Sequence, residues 1–421
     1  MGIVSCPILC HPEKEGESMS HSNNSSDSSI SSLTSQPSLP TVPSLTSQSS
    51  IQKSLTTFHE CISTLKGHSS YVFSLALSGK YLYSGDSNKE IRIWSHDSNT
   101  LKSERVNDVE NSMNNTVAIG NGGVKSLVVY GNKLFSAHQD HKIRVWLIDN
   151  SETTQLKKYK QLATLPTLSD RLSKLVLPKN HIRIRRHKKC TWVHHVDTIS
   201  GLALSRDGSL LYSISWDRTF KIWRTSDFKC LESVTDAHDD AINAIAVSND
   251  GLVYTGSADK KIKVWGIVEG EKKHSLMATL EKHKSSVNAL VLSSDGSTLY
   301  SGACDRSIVV WEKDGTGGNG MVVVGALRGH TKAILCLAIV SDMIFSGSAD
   351  KTVRIWRKCF ENNGYSCLAV LQGHNRPVKC LTATIDHGNS SSKANNTGSY
   401  LVYSGSLDFD IKVWHISVPF L

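Results

Sequence analysis

Several things are missing from this 421-residue chain, and each absence excludes a class of protein. No apolar run approaches the ~18 residues that a membrane-crossing helix needs, so none is expected. The opening stretch MGIVSCPILC has no basic residue and is cut short by Pro7, so it does not read as a secretory signal. The ten cysteines include no C-x-x-C pair, which argues against the commonest zinc and dithiol patterns. Without a secretory signal they are expected to be free thiols in a reducing compartment. Met1-Gly2 invites a myristoylation reading, but Cys6 stands where that signal wants Ser or Thr, so no lipid anchor or membrane contact is expected. Residues 1–57 show no heptads, which excludes an N-terminal coiled coil. A large charge excess is missing too. Lys and Arg number 47 against 38 Asp and Glu, and a net +9 on this length does not by itself imply nucleic acid.

What is present divides in two. From Ser18 to Ser54 the chain is dominated by Ser, with Asn, Thr, Gln and Pro, and has no aromatic residue. Such a segment buries too little apolar surface to offset its ordering entropy, so residues 1–57 are expected to be a disordered tail. It holds one echo: Ser32-Leu33-Thr34-Ser35-Gln36 returns as Ser44-Leu45-Thr46-Ser47-Gln48, with Pro37, Pro40 and Pro43 between. The echo leaves two readings, a plain solvated tail or a short docking or phosphorylation segment.

Residues 58–421 repeat. KEIRIW ends at Trp94, HKIRVW at Trp146, RTFKIW at Trp223, KKIKVW at Trp265, RSIVVW at Trp311, KTVRIW at Trp356 and FDIKVW at Trp414. The intervals are 52, 77, 42, 46, 45 and 58 residues, so the three shortest fit a four-stranded blade and the others are the same unit with inserts. Each unit has an earlier strand ending in Ser-Gly or a near variant: YLYSG, KLFSA, LLYSI, LVYTG, TLYSG, MIFSG and LVYSG. Short β-branched and aromatic runs between Gly, Asp and Asn turns are strand signals throughout. Upstream of every unit but the second, a histidine is followed four residues later by Val or Ile, as in His68/Val72 and His374/Val378.

This pattern resembles the WD-repeat β-propellers, and the resemblance implies an all-β, seven-bladed ring over about residues 58–421. It also implies a buried hydrogen-bonded tetrad in each blade. The matching residues are His195/Ser213/Asp217/Trp223, His238/Thr255/Asp259/Trp265, His283/Ser301/Asp305/Trp311, His330/Ser346/Asp350/Trp356 and His374/Ser404/Asp408/Trp414. A hunt for Ser-His-Asp triads would find copies of one in these units. Catalysis needs one constellation, and copies at recurring places are architecture, so no enzyme activity, cofactor or metal is expected. Two units depart from the pattern. The first has His68, Ser84 and Trp94 but Asn88 in the Asp position; the second has Ser136, Asp140 and Trp146 but Gly120 where His is expected. The family places the segment before each histidine as the outer strand of the preceding blade. With only seven residues after Trp414, His59–Leu65 should cross to complete the last blade and remove a free sheet edge. Cys61, Cys230 and Cys367 share an outer-strand slot, and Cys336 and Cys380 an inner-strand slot, which points to packing.

Three inserts stand out, at about 97–122, 147–194 and 386–399. The first and third read as polar, mobile loops. In the second, Thr167-Leu168-Ser169-Asp170 is a capping-box-like start, and Leu168, Leu172, Leu175 and Val176 follow at helical spacing up to Pro178. A basic run then carries Arg183, Arg185, Arg186, Lys188 and Lys189. It suits an edge strand defended by charge, a nuclear import patch or a contact for acidic partners. No aromatic residue interleaves the charges, so nucleic-acid binding is not expected.

Function is then expected to rest on protein partners, with no small-molecule substrate. Trp216 directly precedes a tetrad Asp, where the other units have Ser87, Gln139, Ala258, Cys304, Ala349 and Leu407. By family analogy Tyr71, Asp239, Lys284, Lys332 and Arg376 share its face, and Trp is enriched among binding hot spots. The leader SSLTSQPSLPTVPSLTSQ and the segments LPTLSDRLSKLVLPKNHIRIRRHKK and KCLESVTDAHDDAINAI resemble the plant JINGUBANG family. That resemblance implies a regulatory scaffold of pollen germination and tube growth, acting through protein partners in cytosol and nucleus. The alternative is a substrate receptor of a cullin–RING ubiquitin ligase. Such receptors carry W-D-x-R at strand ends, whereas here Ser95, Leu147, Arg224, Gly266, Glu312, Arg357 and His415 follow the tryptophans.

Overall fold

The computed structural model describes residues 39, 41–46, 57–95, 115–148, 159–175, 181–185, 188–315, 320–359, 364–386 and 397–419. Seven four-stranded antiparallel sheets follow one another as blades of a β-propeller, joined by one further two-stranded sheet. In each blade the strand ending in the repeated tryptophan is third from the centre, and its neighbour carries the Ser or Thr of the tetrad. Alternation along these strands puts Val, Ile and Tyr on both faces, because each blade packs between two others. The core is therefore a belt of apolar clusters at the blade seams, such as Tyr212, Ile214, Phe220, Ile222, Ile242, Val253 and Trp265 between blades 3 and 4.

The last blade closes the ring. Its inner strands Val378–Ile385, Thr397–Ser406 and Ile411–Pro419 are completed by Phe58–Leu65, with Cys61 opposite Trp414 and Leu65 opposite Ile411. The closing strand was read as His59–Leu65; it starts one residue earlier.

Other boundaries shift. The leader was read as disordered to residue 57, but Leu39 and Val42 are buried against the ring, and residues 41–46 lie along the outside of blades 5 and 6. The rest of that expectation falls outside the described residues. The insert at 97–122 contains the outer strand of blade 1, Thr116–Ile119, and the insert at 147–194 contains that of blade 2, Lys160–Leu165. Of the insert at 386–399, residues 397–399 belong to the strand Thr397–Ser406. The loops read into 97–114 and 387–396 lie outside the described residues.

The helix forms at Leu168–Leu175, with the Asp170 amide donating to Thr167 Oγ1 at 3.2 Å. Of the residues at helical spacing, Leu168 and Leu172 are 69% and 57% exposed. The anchor is polar instead, since buried Asp170 accepts the Cys230 amide of blade 3 at 2.9 Å. The basic run forms a separate hairpin, His181–Arg185 with Lys188–Thr191, rather than an edge strand of a blade. Arg183 stands opposite Lys189 and Arg185 opposite Lys188; Arg186 lies outside the described residues.

Candidate functional site: the mouth of the central channel

The tetrads fix the loops that surround the channel. In blade 4, Trp265 Nε1 donates to Thr255 Oγ1 at 2.9 Å, that hydroxyl meets His238 Nε2 at 2.8 Å, and His238 Nδ1 meets Asp259 Oδ2 at 2.8 Å. The roles run one way: indole N–H to hydroxyl, hydroxyl O–H to Nε2, and Nδ1–H to carboxylate. Equivalent relays join His195/Ser213/Asp217/Trp223, His283/Ser301/Asp305/Trp311, His330/Ser346/Asp350/Trp356 and His374/Ser404/Asp408/Trp414.

The tetrad hydroxyls lie inside the blades, as a buried tetrad requires. Ser213, Thr255, Ser301, Ser346 and Ser404 are each 0% exposed, so none of them is part of a surface that a ligand or partner can reach. Ser213 Oγ receives the Trp223 indole N–H at 2.9 Å. Ser301, Ser346 and Ser404 receive those of Trp311, Trp356 and Trp414, each at 2.8 Å. With His195, His283, His330 and His374 on their other side, these four serines have no open direction for a substrate and act only inside their blades. The carboxylates are held for structure as well. Burial alone would raise Asp259 and Asp408, but the paired imidazole and backbone amides outweigh it and bring each down to about 2.

Blades 1 and 2 correct the sequence reading. In blade 1 the carboxylate partner of His68 is Asp86 at 3.0 Å, not a residue at the Asn88 position, and His68 and Trp94 both reach Ser84. Asn88 instead donates to Ser69 from the surface. In blade 2 the imidazole comes from His138. Its Nε2 meets Ser136 Oγ and its Nδ1 the Gly122 carbonyl, each at 2.8 Å, while Trp146 donates to Ser136. Its ring packs where a side chain on Gly120 would stand, so the glycine makes room for it. Asp140 is released to pair with Arg144 at 3.0 Å. Asp86 and His138 occupy the same strand position, two residues after the tetrad Ser, which holds Ser215, Ser257, Ala303, Ser348 and Ser406 elsewhere. His68, Asp86 and Glu90 also lie close enough together to suggest a metal, but His68 is engaged in the relay and Glu90 in an ion pair with Arg92.

Each inner strand carries a bulge at its second residue. Val72 pairs with Asp86 and Ser74 with Gly85, leaving Phe73 unpaired; the same break recurs in the other six blades. A bulge re-aims one side chain, and here it aims one per blade at the axis. Phe73, Lys125, Ser200, Asn243, Asn288, Leu335 and Lys379, together with Trp216, line a cavity of about 140 Å³.

That ring has two unlike halves. Ser200, Asn243 and Asn288 donate to backbone carbonyls of the next blade, Ile242, Val287 and Ile334, and so stitch blades 3 to 6. On the other side Lys125 Nζ lies 3.7 Å from the Phe73 ring centroid and 5.4 Å from that of Trp216. Tyr71 continues this side, 6.2 Å from Phe73 and 5.6 Å from Phe409, with Tyr71 and Phe409 each more than a third exposed. The Trp216 indole N–H is buried without a hydrogen-bond partner.

The structure thus brings Tyr71 and Trp216 to one side of the channel mouth. Asp239, Lys284, Lys332 and Arg376 stand exposed on the lead-in loops of blades 4 to 7, one per blade, and Asp239 faces Lys261 at 3.8 Å. Sequence reasoning missed Phe73, Lys125, Lys379 and Phe409. The available signal was positional: the seven channel residues are the second residues of the seven inner strands.

Six stretches match the family described as WD domain, G-beta repeat: residues 59–95, 187–224, 228–266, 274–312, 321–357 and 365–415, more than half of the chain. Blade 2, whose relay is built differently, is not among them. The chain is 24% identical over 176 residues to a protein named ribosome biogenesis protein YTM1 of Kluyveromyces lactis, covering 41% of this chain and 39% of that one. It is 23% identical over 239 residues to a ribosome biogenesis protein WDR12 homolog of Trichoplax adhaerens, covering 49% and 54%. A Drosophila melanogaster protein named small ribosomal subunit protein RACK1 is 32% identical over 85 residues, 20% of this chain and 26% of its own. The chain spans about half or less of the length of these relatives.

Proposed function

The chain belongs to the WD-repeat family, and on that premise we propose that it is a non-enzymatic scaffold whose channel mouth binds an acidic segment of a partner protein. The observation that carries this reading is the Phe409–Tyr71–Phe73–Lys125–Trp216 side of the mouth, where aromatic faces and a lysine stand together, while Lys284, Lys332 and Arg376 stand exposed on the lead-in loops of blades 5 to 7. Trp216→Ala leaves every relay intact and should cost roughly 2 kcal/mol or more in affinity for a partner recovered by affinity purification. Lys332→Glu should slow association and flatten its salt dependence. If both folded variants bind as the wild type does, docking lies elsewhere and the Arg183–Lys189 hairpin is next.

The finer kinship we propose is with the plant JINGUBANG family, as a regulator working in cytosol and nucleus; the leader and the Leu165–Lys189 segment support it. A second reading, a part in ribosome assembly, is favoured by the names of the two partial relatives. Gradient fractionation separates them: co-sedimentation with pre-ribosomal particles would favour the second. Among the described residues no helix is long and apolar enough to cross a membrane.

A further inference from the structure

The outer strand of each blade leaves one row of backbone groups without a neighbour in its sheet. On blade 5 the chain covers that edge itself. Leu45 N donates to Ala326 O at 3.0 Å and Ala326 N to Pro43 O at 2.9 Å, so residues 43–45 form a parallel bridge along the outer strand Met321–Leu327. The segment then crosses to blade 6, where Tyr365 N donates to Leu45 O at 2.8 Å. Leu39 and Val42 fill the seam of blades 4 and 5, and Leu45 packs at the seam of blades 5 and 6. Arg328 Nη2 donates to the carbonyls of Leu39 and Val42, both at 2.7 Å. The Thr46 hydroxyl accepts the Arg328 amide at 2.8 Å and donates to the Arg328 carbonyl at 3.2 Å.

The edge is shaped for this occupant. A Cβ on Gly325 would fall 2.5 Å from Leu45 Cγ and 2.9 Å from the Pro43 carbonyl. The same outer-strand slot holds Ala163, Glu232, Ala278, Ala369 and Ser63 in other blades, so only blade 5 among these leaves the gap. We propose that the outer edge of blade 5 is a peptide-docking site for an uncharged partner segment of the pattern Leu-x-x-Val-Pro-Ser-Leu-Thr, turned at Leu-x-x-Val, where the Val42 amide donates to the Leu39 carbonyl at 3.2 Å, and extended from the proline on, and that residues 39–46 are its tethered placeholder. Backbone pairing supplies affinity and the apolar seams supply selectivity, the logic of strand addition. Pro43 stiffens the segment and lowers its ordering cost. The echo bears on specificity: Ile30, Ser32, Leu33 and Thr34 repeat Val42, Ser44, Leu45 and Thr46, but Asp27 stands at the Leu39 place. Phosphate on Thr46 would remove its donor to Arg328 O and crowd the strand, so modification there would vacate the site.

The test uses the full chain with Val42→Asp and Leu45→Asp, which empties the edge, and a labelled peptide of residues 37–48. The emptied protein should bind it at least tenfold more tightly than wild type, whose tethered copy competes at high effective concentration. Adding Gly325→Ala should abolish binding, and the phospho-Thr46 peptide and the peptide of residues 25–36 should each bind at least tenfold more weakly. A folded, emptied protein that ignores the peptide, or binds it equally with Gly325→Ala, overturns the proposal. Should the double variant fail to fold, amide exchange at Ala326, Arg328 and Tyr365 in the otherwise native chain decides. It should be faster in Gly325→Ala than in wild type, and equal rates overturn the site.

Discussion

At the scale of single residues, the second blade shows how a hydrogen-bonding role can be filled from a new position. Its relay needs an imidazole between Ser136 and an acceptor, and His138 supplies it from the strand while the Gly122 carbonyl replaces a carboxylate. Burial pushes His138 down to about 4, from an ordinary 6.5, despite nearby Asp140; Arg144 adds to the lowering. In that interval the unfolded chain takes up a proton that the folded chain refuses. The contribution is therefore complete above about pH 6.5 and falls as pH drops toward 4. His138→Gln should be less stable than wild type at pH 7.5, and the gap should narrow by on the order of 2–3 kcal/mol by pH 4.5. Urea unfolding of both proteins checks this; a gap independent of pH would mean His138 is not buried neutral. Five relays were legible because one pattern recurs in register. The other two were not, because a fixed offset says where a group stands in sequence and not which neighbour's side chain reaches the same point. One clue was available: residues two apart share a strand face, so Ser84 with Asp86, and Ser136 with His138, point the same way.

At the scale of elements, polar anchoring and bulges decide what alternation alone could not. The helix at Leu168–Leu175 was readable from its cap and its apolar spacing, but that spacing does not say what the leucines pack against, and Leu168 and Leu172 stand in solvent. Its fixed point is the Asp170 carboxylate on the Cys230 amide. Asp170→Ala should thus cost about 1–3 kcal/mol by stranding a buried donor. The double change Leu168→Ala and Leu172→Ala should stay within about 0.5 kcal/mol, as exposed positions do. Thermal melts that reverse this order would show the leucines packed. The seven bulges escaped the sequence for a related reason. They arise from pairing between neighbouring strands, and composition carries no trace of them, so the channel residues went unnamed while Trp216, an outlier in residue type, was found.

For the whole molecule, closure of the ring and covering of blade 5 both draw on the N-terminal region, in different degrees. Phe58–Leu65 supplies a complete strand: it pairs with Ile411–Pro419 and buries Ile62 and Leu65, 4% and 6% exposed, in the seam of blades 7 and 1. Residues 39–46 add two parallel bridges, one to each of two already complete blades, 5 and 6. Removing residues 1–37 should therefore leave the melting temperature unchanged. Removing 1–54 should lower it modestly, because Leu39 and Val42 leave the seam of blades 4 and 5 and their burial is worth about 1.5–3 kcal/mol each, less the entropy regained by the freed segment. Removing 1–66 should do far more. Beyond the lost side chains it leaves the Ile411–Pro419 edge open and breaks the pairing that ties the last blade to the first segment of the ring, so insolubility or a strongly depressed melt is expected. Melts of the three truncations, read side by side, test both claims. Equal stability of the 1–54 and 1–66 deletions would mean that the ring does not depend on this strand. Equal stability of the 1–37 and 1–54 deletions would mean that the docked segment contributes nothing to the fold and matters only for what it covers.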